Sequence, residues 1–169
     1  MGGFLGYLWC FFRVYLPTPS GRQRYNVLGA LDAVTHQLIT ECNDQYINSQ
    51  SVCNLLLKIS QLHLEVPITI ILDNAKYQHC ELVMNFALKL NIELLFLPSY
   101  SPNLNIIERL WKWVKKDCLY CKYYEKFNDF KMAIDNSLLK VGLDENKEQF
   151  DSLLNLKFQM FSKSQYITV

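Results

Sequence analysis

The run Ile68-Thr69-Ile70-Ile71-Leu72 constrains the fold of this chain more than any other stretch. Pro67 precedes it and Asp73-Asn74 follow it. A short run of apolar, β-prone residues between such punctuation reads as a strand. Its continuous apolar character suits burial between parallel neighbours. Around it, the punctuation sets out the other elements. Residues 4–16 and 25–43 read as strands or hairpins, with Pro17 to Gly21 as the turn between them. Asn48-Ser49-Gln50-Ser51 is placed to cap a helix reaching about Leu64, with Val52, Leu55, Leu56 and Ile59 on one face. A helix from about Gln78 to Leu90 precedes a strand at Ile92–Leu97. The Pro98–Pro102 turn then leads into a helix carrying Glu108, and from Tyr123 two or three further helices follow, broken near Gly142. Strands first, then helix–strand–helix–strand–helix, predicts an α/β fold with a mixed sheet flanked by helices.

A chain of 169 residues fits one domain with a real core. Half of it is hydrophobic and 14% is aromatic, which is rich without being membrane-like. The apolar run Phe4 to Phe12 is too short to span a bilayer, and Arg13 closes it. It lacks the basic start and the small-residue cleavage site of a secretory signal, so a cytoplasmic protein with no membrane partner is expected. Six cysteines are scattered without the rhythm of a disulfide scaffold. Cys118-x-x-Cys121 has zinc-like spacing but no second ligand pair, so free thiols are the expectation.

The residues that carry chemistry are Asp73 and Glu108, with 34 residues between them. A carboxylate at the carboxyl end of a strand and another on a helix reaching the same edge are able to share a divalent metal ion. Two such metals, about 3.5–4 Å apart, hold the attacking and leaving oxygens of a phosphodiester during in-line displacement. Mg²⁺ and Mn²⁺ favour hard oxygen ligands, so carboxylates are the residues expected. Each acid has a plainer alternative. Asp73 is an ordinary turn residue after a strand, and Asn105-x-x-Glu108 fits the capping-box pattern. Asn74 and Asn105 are candidates to support such a centre through hydrogen bonds. His79 is a further candidate, with a packed or surface histidine as the alternative.

Net charge is +1, so any nucleic-acid surface has to be local. Between residues 109 and 126, six basic residues (Arg109, Lys112, Lys115, Lys116, Lys122, Lys126) meet only Asp117 and Glu125. On a helix, Glu108, Lys112, Lys115 and Lys116 share one side, while Ile107, Leu110, Trp111, Val114 and Cys118 form the apolar stripe. The three lysines are candidate phosphate contacts, and Arg22 with Arg24 make a second patch. Trp111 belongs to the stripe, whereas Trp113 is the more open to a partner.

Leu72-Asp73-Asn74-Ala75, together with Leu97-Pro98-Ser99-Tyr100-Ser101-Pro102-Asn103-Leu104-Asn105-Ile106-Ile107-Glu108-Arg109-Leu110-Trp111, closely resembles the catalytic domain of DDE transposases. The branch resembled is the mariner-like superfamily in its bacterial insertion-sequence form, which keeps the same 34-residue interval between its second and third acids. Pro17 to Leu31 and Leu156-Lys157-Phe158-Gln159 also look like that family, so the resemblance runs along almost the whole chain. It implies an RNase H-like sheet flanked by helices and a two-metal site of Mg²⁺ or Mn²⁺ held by Asp73 and Glu108. It also implies cleavage of DNA at transposon ends, followed by transfer of the freed 3′-OH into target DNA. Assembly on paired ends makes a homodimer the expected oligomer, and association with the nucleoid follows when DNA is bound.

The family uses three acids, the first in the first strand, upstream of a Gly-rich turn that Met1-Gly2-Gly3-Phe4 resembles. No acidic residue precedes Asp32. The expectation is that the first acid and its strand lie upstream of residue 1, making this a truncated catalytic domain with a helical extension from about residue 123. Asp32 reads as a turn-capping residue entering a hairpin rather than a substitute ligand, and Asp44 has still less to support it. Three readings stand: a catalytic part completed from upstream, an inactive remnant, or a DNA-binding or interaction module that keeps the scaffold.

Overall fold

The computed structural model describes residues 11–13, 15, 23–62, 66–99 and 101–158. The expected aromatic strand over residues 4–16 falls mostly outside these, its described residues 11–13 and 15 being in no strand, and Arg22 also lies outside. The first elements are two strands, β1 (Asn26–Leu31) and β2 (Leu38–Asn43), paired antiparallel with Asn26 opposite Asn43 and Leu31 opposite Leu38. Asp32 closes the hairpin by accepting the backbone N–H groups of Val34 and Thr35, both at 2.7 Å. This is the turn-capping role its position predicts.

Helix α1 (Ser49–Ser60) begins as the sequence predicts and stops short of Leu64. The Asn48 side chain accepts the Ser51 N–H at 3.0 Å, and Ser51 Oγ accepts the Asn48 N–H at 3.3 Å, a reciprocal cap that satisfies two orphan donors. Its buried face holds Val52, Cys53, Leu55, Leu56 and Ile59. Lys58 ties the helix to β2 through Glu41 at 2.7 Å and the Thr40 carbonyl at 2.8 Å.

Strand β3 (Ile68–Leu72) pairs parallel with β4 (Ile92–Phe96), with α2 (Glu81–Lys89) as the crossover between them. Continuous burial of β3 is not what the structure has. Ile71 stays 52% exposed and its partner Leu95 49% exposed, while Thr69 bonds Glu93 across the same face at 2.7 Å. The apolar run reflects β-propensity on that face and burial on the other. Helix α2 begins at Glu81 rather than Gln78, because residues 76–78 form a turn in which the N–H groups of Gln78 and His79 both bond the Ala75 carbonyl.

A short 3₁₀ turn (Pro102–Leu104) precedes α3 (Ile107–Val114), which runs on through a π-helical turn at Lys115–Leu119. Helices α4 (Phe127–Leu139) and α5 (Lys147–Leu153) complete the described residues, separated near Gly142 at φ +82 as expected. The protein is α/β, with small antiparallel and parallel sheets flanked by five helices, compatible with an RNase H-like fold.

Two hydrophobic clusters hold it together. Val52, Cys53 and Leu56 of α1 meet Val83 and Ala87 of α2 and Ile92 of β4, with Leu28, Ile68 and Ile70 against them. Leu110 and Val114 of α3 meet Ile134, Leu138, Phe150 and Leu154, with Val27, Leu31 and Leu38 against them. Alternate residues of β1 thus face different clusters, as a strand of period two allows. The hairpin lies between α1 on one side and α3 on the other.

Candidate active site

Both candidate acids are half-buried, Asp73 just past the end of β3 and Glu108 in the first turn of α3. One side chain joins their supports. Asn105 donates from Nδ2 to Asp73 Oδ1 at 2.8 Å, while its own Oδ1 accepts the Ile107 N–H at 3.3 Å. The asparagine therefore links the first N–H of the helix that carries Glu108 to the carboxylate just past β3. The capping-box alternative for Glu108 is not what forms. Its backbone N–H goes to the Asn105 carbonyl at 3.2 Å, and its carboxylate has no hydrogen bond or ion pair among the described residues.

The loop after Asp73 is organised by its own side chains. His79 Nδ1 lies 2.9 Å from Asn74 Oδ1, and its ring stacks on Phe96 at 4.3 Å between centroids. The end of β4 thus packs under the loop, and the Leu97 N–H extends the parallel ladder to the Leu72 carbonyl at 2.8 Å. Two loop residues carry no periodicity signal and are absent from the sequence-based candidates. Tyr77 has its hydroxyl pushed up by burial and by the charge of Asp73, so a neutral phenol stands near that acid. Gln78 is buried, with Oε1 unpartnered among the described residues.

The basic residues separate into two kinds. Lys112, Lys115 and Lys116 are exposed, and none is in an ion pair among the described residues. Arg109 serves structure instead. Its guanidinium donates to the carbonyls of Asn155 at 2.7 Å and Lys157 at 2.9 Å and lies over the Phe158 ring at 5.3 Å. Lys122 likewise bonds the Asp117 carbonyl at 2.6 Å. Arg24 is exposed and stacks over Tyr46 at 4.4 Å. Trp113, expected to be open to a partner, is half-buried and meets Phe150 edge-on at 4.9 Å, because the α3 surface it occupies packs onto α5.

The sequence matches the family of DDE superfamily endonucleases over residues 13–131, more than two thirds of its length. The chain belongs to that family. Comparison with curated proteins gives no match. Members of this endonuclease family act on DNA and generally use divalent metals. In this DDE domain the donor set is of the right kind for such ions, since Asp73 and Glu108 offer hard carboxylate oxygens and Asn105 engages only Oδ1 of Asp73. No group of three or more His, Cys, Asp or Glu side chains is gathered for a metal among the described residues. Hard carboxylate oxygens of this kind fit the chemistry of Mg²⁺ or Mn²⁺. Among the described residues no helix is long and apolar enough to cross a membrane.

Proposed function

We propose that this DDE domain cleaves DNA at the ends of a transposable element and transfers the freed strand, with Asp73 and Glu108 as the metal-holding carboxylates. The observation that carries the reading is Asn105, one residue bonded both to Asp73 and to the first N–H of the helix of Glu108. A side chain shared in this way supports the reading, because it ties the start of α3 to the end of β3. Mg²⁺ or Mn²⁺ held there would activate water and stabilise the charge that builds on the phosphodiester. Asp73 and Glu108 hold the ions, Asn105 fixes the orientation of Asp73, and Asn74 with His79 stiffens the loop that follows.

Lys112, Lys115 and Lys116 run on from Glu108 along α3 and its π-helical turn, where the phosphates of an arriving strand would meet them. Arg22 and Arg24 are proposed as a second contact, Arg22 lying outside the described residues. The reading includes the mariner-like, insertion-sequence affiliation and assembly as a homodimer on paired ends. It also includes a third acid to complete the centre, a role for which Asp32 is unsuited because its carboxylate is taken up by its own turn.

The test is cleavage of duplex DNA by the chain extended upstream with an apolar strand ending in Asp. Strand cleavage dependent on Mg²⁺ or Mn²⁺ is expected, and Asp73→Asn or Glu108→Gln abolishes it. Cleavage that survives both substitutions would sink the assignment of the two carboxylates. Salt-sensitive DNA binding indifferent to metal and to both substitutions would instead favour a DNA-binding module on the same scaffold.

A further inference from the structure

The thiols of Cys53 and Cys80 lie outside the proposed active site and are not used by it. Cys80 is the residue before α2, in extended backbone (φ −136, ψ 159). Its Sγ lies 3.3 Å from Ser49 Oγ and 3.6 Å from the Tyr77 carbonyl. Ser49 opens α1, and Cys53 stands one turn further along the same face of that helix. Cys53 is 2% exposed in the cluster against which Cys80 packs. A half-buried thiol just before α2 and a shielded thiol on α1 therefore border the same cluster.

We propose that Cys80 and Cys53 are an oxidisable pair, in which peroxide converts Cys80 to a sulfenic acid and Cys53 closes a disulfide from α1 to the start of α2. The Cys80 thiolate attacks one peroxide oxygen, the O–O bond breaks, and the departing oxygen leaves as water once protonated. The Cys53 sulfur then attacks the Cys80 sulfur, the S–OH bond breaks, and the hydroxide takes the Cys53 proton to leave as a second water. Two thiols are oxidised by two electrons and one peroxide is reduced by two.

The surroundings divide the roles. The Ser49 hydroxyl and the first-turn amides of Val83 and Leu82 hold the Cys80 thiol below the ordinary cysteine range. Burial, with the charge of nearby Cys80, pushes the Cys53 thiol up, so it stays protonated until a partner sulfur is activated. The other described cysteines lack this pairing. Cys42 on β2 faces the Tyr25 hydroxyl, Cys118 is buried with its thiol on the Val114 carbonyl, and Cys121 is exposed at a left-handed position, φ +58. Cys80 directly follows His79, so the new bond would pin the loop that begins at Asp73.

The experiment treats the folded full chain with hydrogen peroxide, blocks remaining thiols with N-ethylmaleimide, and maps peptides without reduction. The expected product is a peptide pair joined through Cys53 and Cys80, lighter by two hydrogens and absent when the chain is oxidised in urea. In Cys53→Ala the expected product is a Cys80 sulfenic acid trapped by dimedone. If that variant does not fold, the map of the unmodified chain decides alone. Oxidation of Cys121 with Cys80 left as a free thiol overturns the proposal. So does a Cys80 disulfide to any other cysteine, or Cys80 oxidised in the unmodified chain with Cys53 remaining alkylatable. Metal and DNA are absent throughout, so the result is independent of the endonuclease reading.

Discussion

At the scale of single residues, Asn105 concentrates the consequences. Its amide bonds a carboxylate, and hydrogen bonds to charged groups contribute more than neutral ones. The bond is only partly buried, so Asn105→Ala is expected to cost about 1 kcal/mol in urea denaturation. It should cost more in function, weakening Mn²⁺-dependent cleavage by the upstream-extended chain by roughly 10–100-fold, as loss of a ligand's hydrogen-bond partner does. Equal activity of the variant and the parent would remove Asn105 from the site. The capping pattern made this residue legible in the sequence, but not its second bond. That bond crosses 32 positions and depends on where the 3₁₀ turn delivers the helix. Tyr77 and Gln78 were illegible for a related reason, since a loop has no period to say which side chains turn inward.

Acid sensitivity also belongs to individual residues. Backbone N–H groups of Thr35 and Val34 hold the Asp32 carboxyl below the usual carboxylate range, against a smaller opposing effect of burial. The Lys58 ammonium does the same for Glu41, aided by Asn54. A carboxyl lowered in the folded state contributes stability above its unfolded value, and that stability is lost as pH falls through the folded value. The domain should therefore lose stability on acidification below about pH 4, where unfolded carboxyls begin to bind protons. Asp32→Ala and Glu41→Gln should each flatten that acid limb in denaturation curves followed from neutral pH downward. Unchanged acid limbs in both variants would contradict the stated hydrogen-bond origin.

At the scale of elements, the packing of β1 on α3 sets the tightest constraint. A Cβ at Gly29 would stand 2.8 Å from Cη2 and 2.9 Å from Cζ2 of Trp111, and 3.2 Å from Ile107 Cδ1. Gly29→Ala is expected to destabilise by about 1–3 kcal/mol through overpacking. Trp111→Leu should relieve part of that cost, so the double-mutant cycle in urea should be non-additive, with the pair less destabilised than the sum of the single variants. Additive costs would mean that the indole is not what confines the strand. The apolar stripe of α3 was readable from its period, and Leu110, Val114 and Cys118 are buried where it put them. Trp113 was misread because α5 covers a surface that a lone amphipathic helix would leave to solvent. The π-helical turn was not readable either. The Tyr120 N–H bonds the Lys115 carbonyl at 2.8 Å, and the wider turn buries Cys118 and Leu119 together. Arg109 escaped for the same kind of reason, since its partners are backbone carbonyls about 45 residues away, which no sequence spacing advertises.

At the scale of the whole molecule, a net charge of +1 provides no long-range attraction for DNA, so binding must rest on a local field. Lys112, Lys115 and Lys116 provide one. Asp117, the acid beside them, is already matched by Lys140 at 2.7 Å, and none of the three lysines is in an ion pair among the described residues. Each phosphate a lysine neutralises contributes about 0.9 to the slope of log affinity against log salt on duplex DNA. Replacing all three with alanine should therefore reduce that slope by roughly 2–3 and weaken binding about equally for every sequence, as phosphate contacts do. Fluorescence anisotropy on one duplex across a series of salt concentrations measures both quantities. The exposed positions of the three side chains make a large loss of fold stability unexpected, and a denaturation curve on the same sample separates unfolding from lost contacts. A slope unchanged by the triple substitution would move the DNA surface away from α3. The path from the lysines to Glu108 would then lose its meaning, while the bond between Asn105 and Asp73 would keep its own.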